Sequence, residues 1–424
     1  MKISLIRFLK RSEKWGERNF GSFFKWLIIG IVIGGVVGVI GAAFSFALSE
    51  CALMRERHPW VILLLPVCGL GVVGVYKLLR IHSDKGTNMV LLSVRDGENM
   101  TWRNTLSIFL GSVLTHLGGG SAGREGAALQ IGGSVGSQIG LWLKFGDQGH
   151  RLITMCGMSA GFSALFGTPC AAALFSMEVI SVGIMHYSAI VPCAAAAVTG
   201  YKIAALCGVT KEGFSVVMPG YDVSVYLRTA LMAVLCGMLS ILFCYALKIS
   251  AKGYKRFIGN HYLRILAGGV IVAVLTFALG TYDYNGAGSQ VIQRAFLKRA
   301  DIWEFILKLL FTALTLGAGY KGGEILPAFF VGSAFGSFLA PMLELDCSYG
   351  AAVGLSCLFC GVTNCPITAF VLSIELFGAE RIPLFLVACG VSYMLSGYVG
   401  LYSEQKIVYS KLEPRYIDKK VGRK

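Results

Sequence analysis

Leu117-Gly-Gly-Gly-Ser-Ala-Gly-Arg-Glu125 recurs, at an offset of 199, as Leu316-Gly-Ala-Gly-Tyr-Lys-Gly-Gly-Glu324. The leucine, the first and third glycines, a later glycine and the closing glutamate coincide. Eight residues beyond each glutamate Gly-Ser follows, as Gly133-Ser134 and Gly332-Ser333. A second pair lies further on. Thr168-Pro-Cys-Ala-Ala-Ala-Leu-Phe-Ser-Met-Glu178 resembles Cys365-Pro-Ile-Thr-Ala-Phe-Val-Leu-Ser-Ile-Glu375, with nine residues from proline to glutamate in both and an offset of 197. Two matching blocks in the same order indicate an internal duplication.

Around these blocks the sequence is strongly apolar. Of 424 residues, 55% are hydrophobic and 14% charged, against about a quarter charged in a typical soluble protein. Stretches free of Asp, Glu, Lys and Arg run 24 residues over Trp26–Ser49, 26 over Leu152–Met177, 23 over Val179–Tyr201, 19 over Thr229–Leu247 and 28 over Cys347–Ile374. A helix crossing the bilayer core needs roughly 20 apolar residues. The fold class read here is therefore an all-α polytopic membrane protein. A soluble chain with a net charge of +15 would suggest nucleic acid. Here the basic residues lie mainly between and outside the apolar runs, and no nucleic-acid partner is expected. Lys2, Arg7, Lys10, Arg11, Lys14 and Arg18 crowd one end, and Lys406, Lys411, Arg415, Lys419, Lys420, Arg423 and Lys424 the other. The excess of Lys and Arg at both ends puts both termini in the cytoplasm, with an even number of crossings. No cleavable signal peptide is expected.

This reading divides the chain into a basic N-terminal helix (1–24), a first transmembrane repeat (25–207), a linker (208–224), a second repeat (225–405) and a short basic tail (406–424). The thirteen cysteines are scattered, and Cys357-x-x-Cys360 reads as a packed helix face. The six histidines show no metal-binding spacing, so neither a resident metal nor a cofactor is expected.

Repeats of this kind in transporters place the ion site near the bilayer midplane, where helices are broken. The stretches Gly118–Gly126 and Gly317–Gly323 are poor helix interiors, because each glycine costs about 1 kcal/mol there. They read as non-helical backbone at membrane depth, which is tolerated only when buried in protein or lining a cavity. A new apolar helix follows each, with Glu125 or Glu324 in or beside its first turn. The free N–H groups of a helix start suit an anion. Glu125 is thus expected to occupy the anion site when charged and to vacate it when protonated, linking proton binding to anion passage. Glu324 is expected to be a proton stop on the other half of the path. Arg124 reads as a structural partner bonding loop carbonyls. Glu178 and Glu375, read as lying deep in their helices, are assigned structural roles. Asn88 and Met89, in Gly86-Thr-Asn-Met-Val90, offer amide donors and a polarizable thioether if that stretch enters the bundle. Tyr402 presents its hydroxyl to an anion or anchors a helix at the interface.

These residues resemble a known family. Gly123-Arg-Glu-Gly126 is similar to the Gly-Arg-Glu-Gly-Pro signature of the CLC anion channels and transporters, with Ala127 in place of the proline. Gly86–Val90 falls where the family has Gly-Ser-Gly-Ile-Pro, and Gly322–Pro327 where it has Gly-Gly-Ile-Phe-Ala-Pro. Tyr402 matches the family's anion-holding tyrosine. The resemblance implies a CLC-like inverted repeat of tilted and broken helices, in a homodimer with one pathway per subunit in the cell membrane. It implies an anion site formed by Asn88, Met89, Gly123, Arg124, Gly126, Gly323, Ile325 and Tyr402, with Glu125 as the gating glutamate and Glu324 in the proton pathway.

The departures point to a subfamily. Val179 stands where chloride/proton antiporters carry an internal glutamate, as it does in channel members. Gly-Gly-Glu in the third loop and methionine in the first are similar to the bacterial fluoride/proton antiporter branch, although Leu326 stands where that branch usually has threonine. The function this implies is export of a halide, fluoride, in exchange for protons. The alternative is a chloride-conducting channel or chloride/proton antiporter. An intramembrane aspartyl protease would need two membrane aspartates sharing a proton. The principal apolar runs contain none.

Overall fold

The computed structural model describes residues 2–81, 85–210 and 213–422, with side chains from residue 20 onward. The side chains of the basic N-terminal stretch to Arg18, His82, and Arg423 and Lys424 lie outside the described residues. The first repeat contains α1 (Lys2–Arg57), α2 (Leu65–Leu78), α3 (Thr87–Asp96), α4 (Trp102–Leu117), α5 (Glu125–Trp142), α6 (Asp147–Phe166), α7 (Pro169–Glu178) and α8 (Ile190–Leu206). The second contains α9 (Val223–Phe257), α10 (His261–Leu279), α11 (Ser289–Leu297), α12 (Ile302–Ala318), α13 (Ile325–Leu339), α14 (Cys347–Thr363), α15 (Pro366–Phe377) and α16 (Ile382–Leu395). Among the described residues, six helices are long and apolar enough to cross a membrane. Helices α3 and α7 have 10 residues each and α11 has 9. At 1.5 Å per residue these reach only about half of a ~30 Å hydrocarbon core. The protein is a multi-pass helical membrane protein with many partly spanning helices.

Several boundaries differ from the sequence reading. No break separates residues 1–24 from the apolar run, because α1 is continuous from Lys2 to Arg57. The run Leu152–Met177 is two helices, not one span. Helix α6 ends on Gly167 in the left-handed region (φ 68°), and Pro169 opens α7. The run Cys347–Ile374 breaks in the same way at Asn364 (φ 58°) and Pro366. Both are left-handed stops followed by proline at the next helix start, and apolar content does not report them. The linker ends earlier than expected, since α9 opens at Val223. The tail departs from a purely helical reading. Its strands β2 (Lys406–Tyr409) and β3 (Tyr416–Lys420) pair antiparallel, and β2 pairs in parallel with β1 (Ser181–Val182), just after α7.

Glycine works in the helices as well as in the loops. A Cβ added to Gly132 of α5 would sit 2.1 Å from the Gly157 carbonyl oxygen of α6, and one on Gly336 of α13 would sit 2.0 Å from that of Gly350 on α14. Backbones packed this closely are the small-residue contacts expected where lipid supplies no hydrophobic drive between helices. Cys357 and Cys360 are buried where α14 meets α16, their thiols donating to the Ala388 and Cys389 carbonyls at 3.4 and 3.3 Å.

The two repeats cap one another. Glu178 is the last residue of α7, and its carboxylate accepts from Ile367 N (3.1 Å), Thr368 N (2.8 Å) and Thr368 Oγ1 (2.6 Å) at the start of α15. In return Glu375, two residues before the end of α15, accepts from Cys170 N (2.9 Å) and Ala171 N (2.7 Å) at the start of α7. Both glutamates therefore lie at or near helix ends, not deep within them. They satisfy N–H groups that a helix start leaves orphaned.

Glu178→Ala leaves three donors without their acceptor, two of them on buried Thr368. The expected outcome is a loss of about 2–3 kcal/mol in unfolding free energy, measured by denaturant titration of the purified protein. Glu178→Gln keeps one acceptor oxygen and should lose less.

Candidate functional site

The two glycine-rich loops lie against each other at the centre of the fold. Residues 118–124 join α4 to α5 and residues 319–324 join α12 to α13, so Gly126 and Gly317 are helical and the loops are shorter than the glycine pattern suggests. Gly123 N donates to Gly323 O and Gly323 N to Gly123 O, both at 2.7 Å, forming an isolated antiparallel bridge. On either side of it the halves exchange bonds again. Lys321 N donates to Thr115 Oγ1 of α4 at 3.1 Å, and Ser121 N donates to Thr315 Oγ1 of α12 at 3.1 Å.

This pairing fixes the structural register of the duplication. Gly123 with Gly323, Ser121 with Lys321 and Thr115 with Thr315 are each 200 apart, one more than the sequence match of the two glutamates. Glu125 is the first residue of α5, whereas Glu324 is the N-cap of α13. Glu324 is thus the structural counterpart of Arg124, and the two carboxylates are not equivalent. One residue is a turn of about 100° about a helix axis, so the two side chains leave their helices in different directions.

Glu125 is fully buried, with 0% exposure. Its Oε2 accepts from Arg124 N at 3.0 Å, and its Oε1 is 3.5 Å from Arg124 Nε. The carboxylate folds back on the loop, so that a Cβ on Gly123 would be 2.8 Å from Oε2. Arg124 lies beside this carboxylate and lines a small apolar cavity with Leu326, Phe166 and Phe329. Glu324 is half-buried and lines a different cavity, with Cys244 and Lys248 of α9 and with Gly400 and Leu401.

Three helix starts meet at Gly126. A Cβ added there would be 2.9 Å from Gly323 Cα and 3.5 Å from both Glu324 Oε2 and Thr87 Oγ1. The N-termini of α3, α5 and α13 therefore surround one small space bounded by glycine backbone. Each contributes partial positive charge there. Ile325, buried, is the first residue of α13. Thr87 is the residue that the sequence reading missed. It is buried at the start of α3, and Gln130 Nε2 donates to its Oγ1 at 3.1 Å and to Gly126 O at 3.1 Å. Because Oγ1 accepts from Gln130, its own proton is available to an acceptor on the other side. The signal was present as a hydroxyl residue directly after Gly86, at a helix start.

Asn88 and Met89 also lie in α3, and the structure shows what their polar atoms hold. Asn88 Oδ1 accepts from Glu404 N at 3.0 Å, bracing the segment that follows Tyr402. Met89 Sδ accepts from Asn104 Nδ2 at 3.5 Å, and its side chain packs on the main core. Tyr402 is 1% exposed, with no hydrogen-bond partner for its hydroxyl among the described residues. It lies within Coulomb range of both Glu324 and Glu125. A buried hydroxyl without a partner is rare enough to mark a site that something else completes. Its segment is held firmly. Leu401 N donates to Val362 O at 2.9 Å, and Gln405 Nε2 donates to the carbonyls of Val179 (2.9 Å) and Thr363 (2.8 Å).

A family model for voltage gated chloride channels matches residues 75–397. The chain is 36% identical over 398 residues to a chloride/fluoride channel protein of Pseudomonas syringae pv. tomato, covering 91% of this chain and 87% of that relative. Among solved structures, the crystal structure of a CLC-type fluoride/proton antiporter superposes with a TM-score of 0.86 at 31% identity, covering 90% of this chain and 98% of that one. A slow cyanobacterial chloride/proton antiporter shares the fold, with a TM-score of 0.77 at 21% identity over 88% of this chain and 94% of that one.

The loop bridge leaves no room for a side chain. A Cβ on Gly323 would meet Gly126 N at 2.5 Å. Gly323→Ala is expected to force the loops apart and lower the melting temperature of the purified protein by several degrees. Gly35→Ala on α1, where a Cβ meets nothing within 4 Å, should be neutral or slightly stabilising.

Proposed function

The chain belongs to the voltage-gated chloride channel family, and from that premise we propose that it is a membrane halide transporter that expels fluoride from the cytoplasm in exchange for protons. The observation that carries this reading is a pair of carboxylates at the two bridged helix starts, Glu125 against the Gly123 backbone and Glu324 beside Gly126. The similarity to a fluoride/proton antiporter over 90% of the chain supports the choice of ion.

Fluoride is small, strongly hydrated and a strong hydrogen-bond acceptor. A site for it must replace that hydration with donors at fixed positions. Thr87 Oγ1, the Tyr402 hydroxyl and the backbone around Gly126 supply such groups. The dipoles of three helix starts stabilise the charge. Hydrogen fluoride forms at acid pH, crosses the membrane and releases fluoride inside, so expulsion needs the proton gradient and a passive pore does not suffice.

In the proposed cycle Glu125, deprotonated, fills the anion site by folding onto the loop backbone. Protonation removes its charge and frees the site, and fluoride enters from the cytoplasm. The proton passes inward by way of Glu324, whose cavity toward Lys248 and Leu401 gives it a route separate from that of the anion. This cavity does the work that the family's internal glutamate does elsewhere, since position 179 is Val179, whose carbonyl is held by Gln405. Arg124 positions Glu125, and Asn88 and Met89 position α3 and the Tyr402 segment. We place both termini in the cytoplasm, because Lys and Arg are in excess at both ends of the chain. The working unit is a homodimer in the bilayer with one pathway per subunit.

In vesicles reconstituted with the purified protein, an outward fluoride gradient should drive proton uptake against the proton gradient, read with a pH dye and a fluoride electrode. Glu125→Gln should reduce coupled proton movement at least tenfold. Glu324→Gln should reduce proton coupling while leaving some fluoride flux, and Thr87→Val should weaken fluoride flux about tenfold, the cost of one hydrogen bond to a charged group. A chloride-conducting protein, consistent with the name of the Pseudomonas relative, would pass chloride with no proton movement and would overturn the antiport reading.

A further inference from the structure

A further cavity lies away from the anion site, beneath the tail sheet. It encloses about 530 Å³ between the end of α3, the start of α6, the connection after α7 and strands β2 and β3. Ligand pockets for small molecules run from about 300 to 1,000 Å³. Three cations line it, Arg95, Arg151 and Lys406, with Asp418 as the carboxylate among its lining. Two of the three are committed. Arg95 bonds Asp96 at 2.7 Å and lies 3.5 Å from Glu404, and Lys406 pairs with Asp418 at 3.3 Å. Arg151 is not. Its Nε is buried with no hydrogen-bond partner among the described residues, and its charge has no carboxylate within ion-pair distance there. Arg151 as a whole is half-buried, and a guanidinium whose inner nitrogen faces a cavity without a partner is completed by an anion that enters it.

The remaining wall has two characters. Ser181, His186 and Ser188 offer polar groups beside the cations, while Leu152, Ile180 and Ile184 form an apolar side. In the segment beyond Ile184, itself exposed, Tyr187 is 71% exposed and Ile190 of α8 is exposed as well. A phosphate among the cations with its hydrocarbon passing along Ile184 and Ile190 satisfies both. Basic pockets between transmembrane helices on the cytoplasmic side are places where anionic headgroups bind.

We propose that this cavity binds the phosphate of an anionic phospholipid, with Arg151 as its cationic ligand beside the Lys406–Asp418 pair, and that occupancy steadies the anion site through the tail. The connection is short. Lys406 opens β2 directly after Gln405, which bonds α7 and α14, and Glu404, whose N–H is held by Asn88. Tyr402 lies in the same segment. A lipid bound under β2 therefore bears on the strap that positions the Tyr402 hydroxyl.

The test has a binding arm independent of transport. Full-length protein in detergent is exposed to phosphatidylglycerol or cardiolipin, and retained lipid is read by native mass spectrometry. The wild type should retain one or more anionic lipids, and Arg151→Gln should retain about fivefold less. Arg80→Gln, removing a basic residue outside the cavity, should match the wild type. In vesicles, adding anionic lipid to neutral lipid should raise wild-type fluoride efflux several-fold and leave Arg151→Gln unmoved from its neutral-lipid rate. Equal retention and equal response in Arg151→Gln and wild type would overturn the site. Stimulation by inorganic phosphate or ATP in neutral vesicles, with no effect of anionic lipid, would overturn the lipid source and assign a soluble phosphate. Vesicles that move no fluoride at all would defeat the transport reading, while lipid retention would still decide this one.

Discussion

Backbone that leaves its helix inside a membrane must find partners for every N–H and C=O, because there is no water to take them. Here two such stretches, one from each repeat, find them largely in each other. Gly123 and Gly323 exchange both backbone bonds at 2.7 Å, and the threonine hydroxyls of α4 and α12 take the next N–H of the opposite loop. Neither half can close these bonds alone. The duplication is therefore a requirement of the fold, and the glycines follow from it, since a Cβ on Gly323 would meet the facing backbone at 2.5 Å. The same reciprocity recurs at the periphery, where Glu178 and Glu375 each cap the opposite repeat's short helix.

Once the loops are paired, three helix starts are forced together and their electrostatics come with them. The space at Gly126 is small and surrounded by partial positive charge. A carboxylate and a halide compete for such a place on equal physical grounds. The repeats supply two carboxylates but in different positions. Glu125, as the first residue of its helix, is turned wholly inward, and Glu324, as a cap, faces a cavity of its own. Near-symmetry of backbone with asymmetry of side chain leaves one acidic group fully buried and the other half-buried beside a cavity.

Much of this was legible beforehand. The apolar runs announced a membrane protein, the matched blocks announced the duplication, and glycine at membrane depth announced broken helices. The errors have identifiable causes. Matching the glutamates gave an offset of 199, while the paired backbones obey 200, because similarity aligns identical letters and hydrogen bonds align positions. Apolar content joined α6 to α7 and α14 to α15, since a left-handed glycine or asparagine before a proline changes direction without adding polarity. Thr87 was overlooked in favour of its more unusual neighbours Asn88 and Met89, whose oxygen and sulfur are engaged in holding other residues.

What the amino-acid sequence determined by itself was the solvent, the repeat and the chemistry on offer: a bilayer, two repeated halves, and a glutamate beside glycine where a helix begins. These follow from composition and local spacing, which are properties of the chain before it folds. The tertiary structure alone decided which atoms face one another. The bridge between residues 123 and 323, the unequal burial of the two glutamates, the burial of Tyr402 and the tail strand laid against β1 all depend on segments far apart in the chain. Such contacts depend on distances through space, and local sequence carries no record of those.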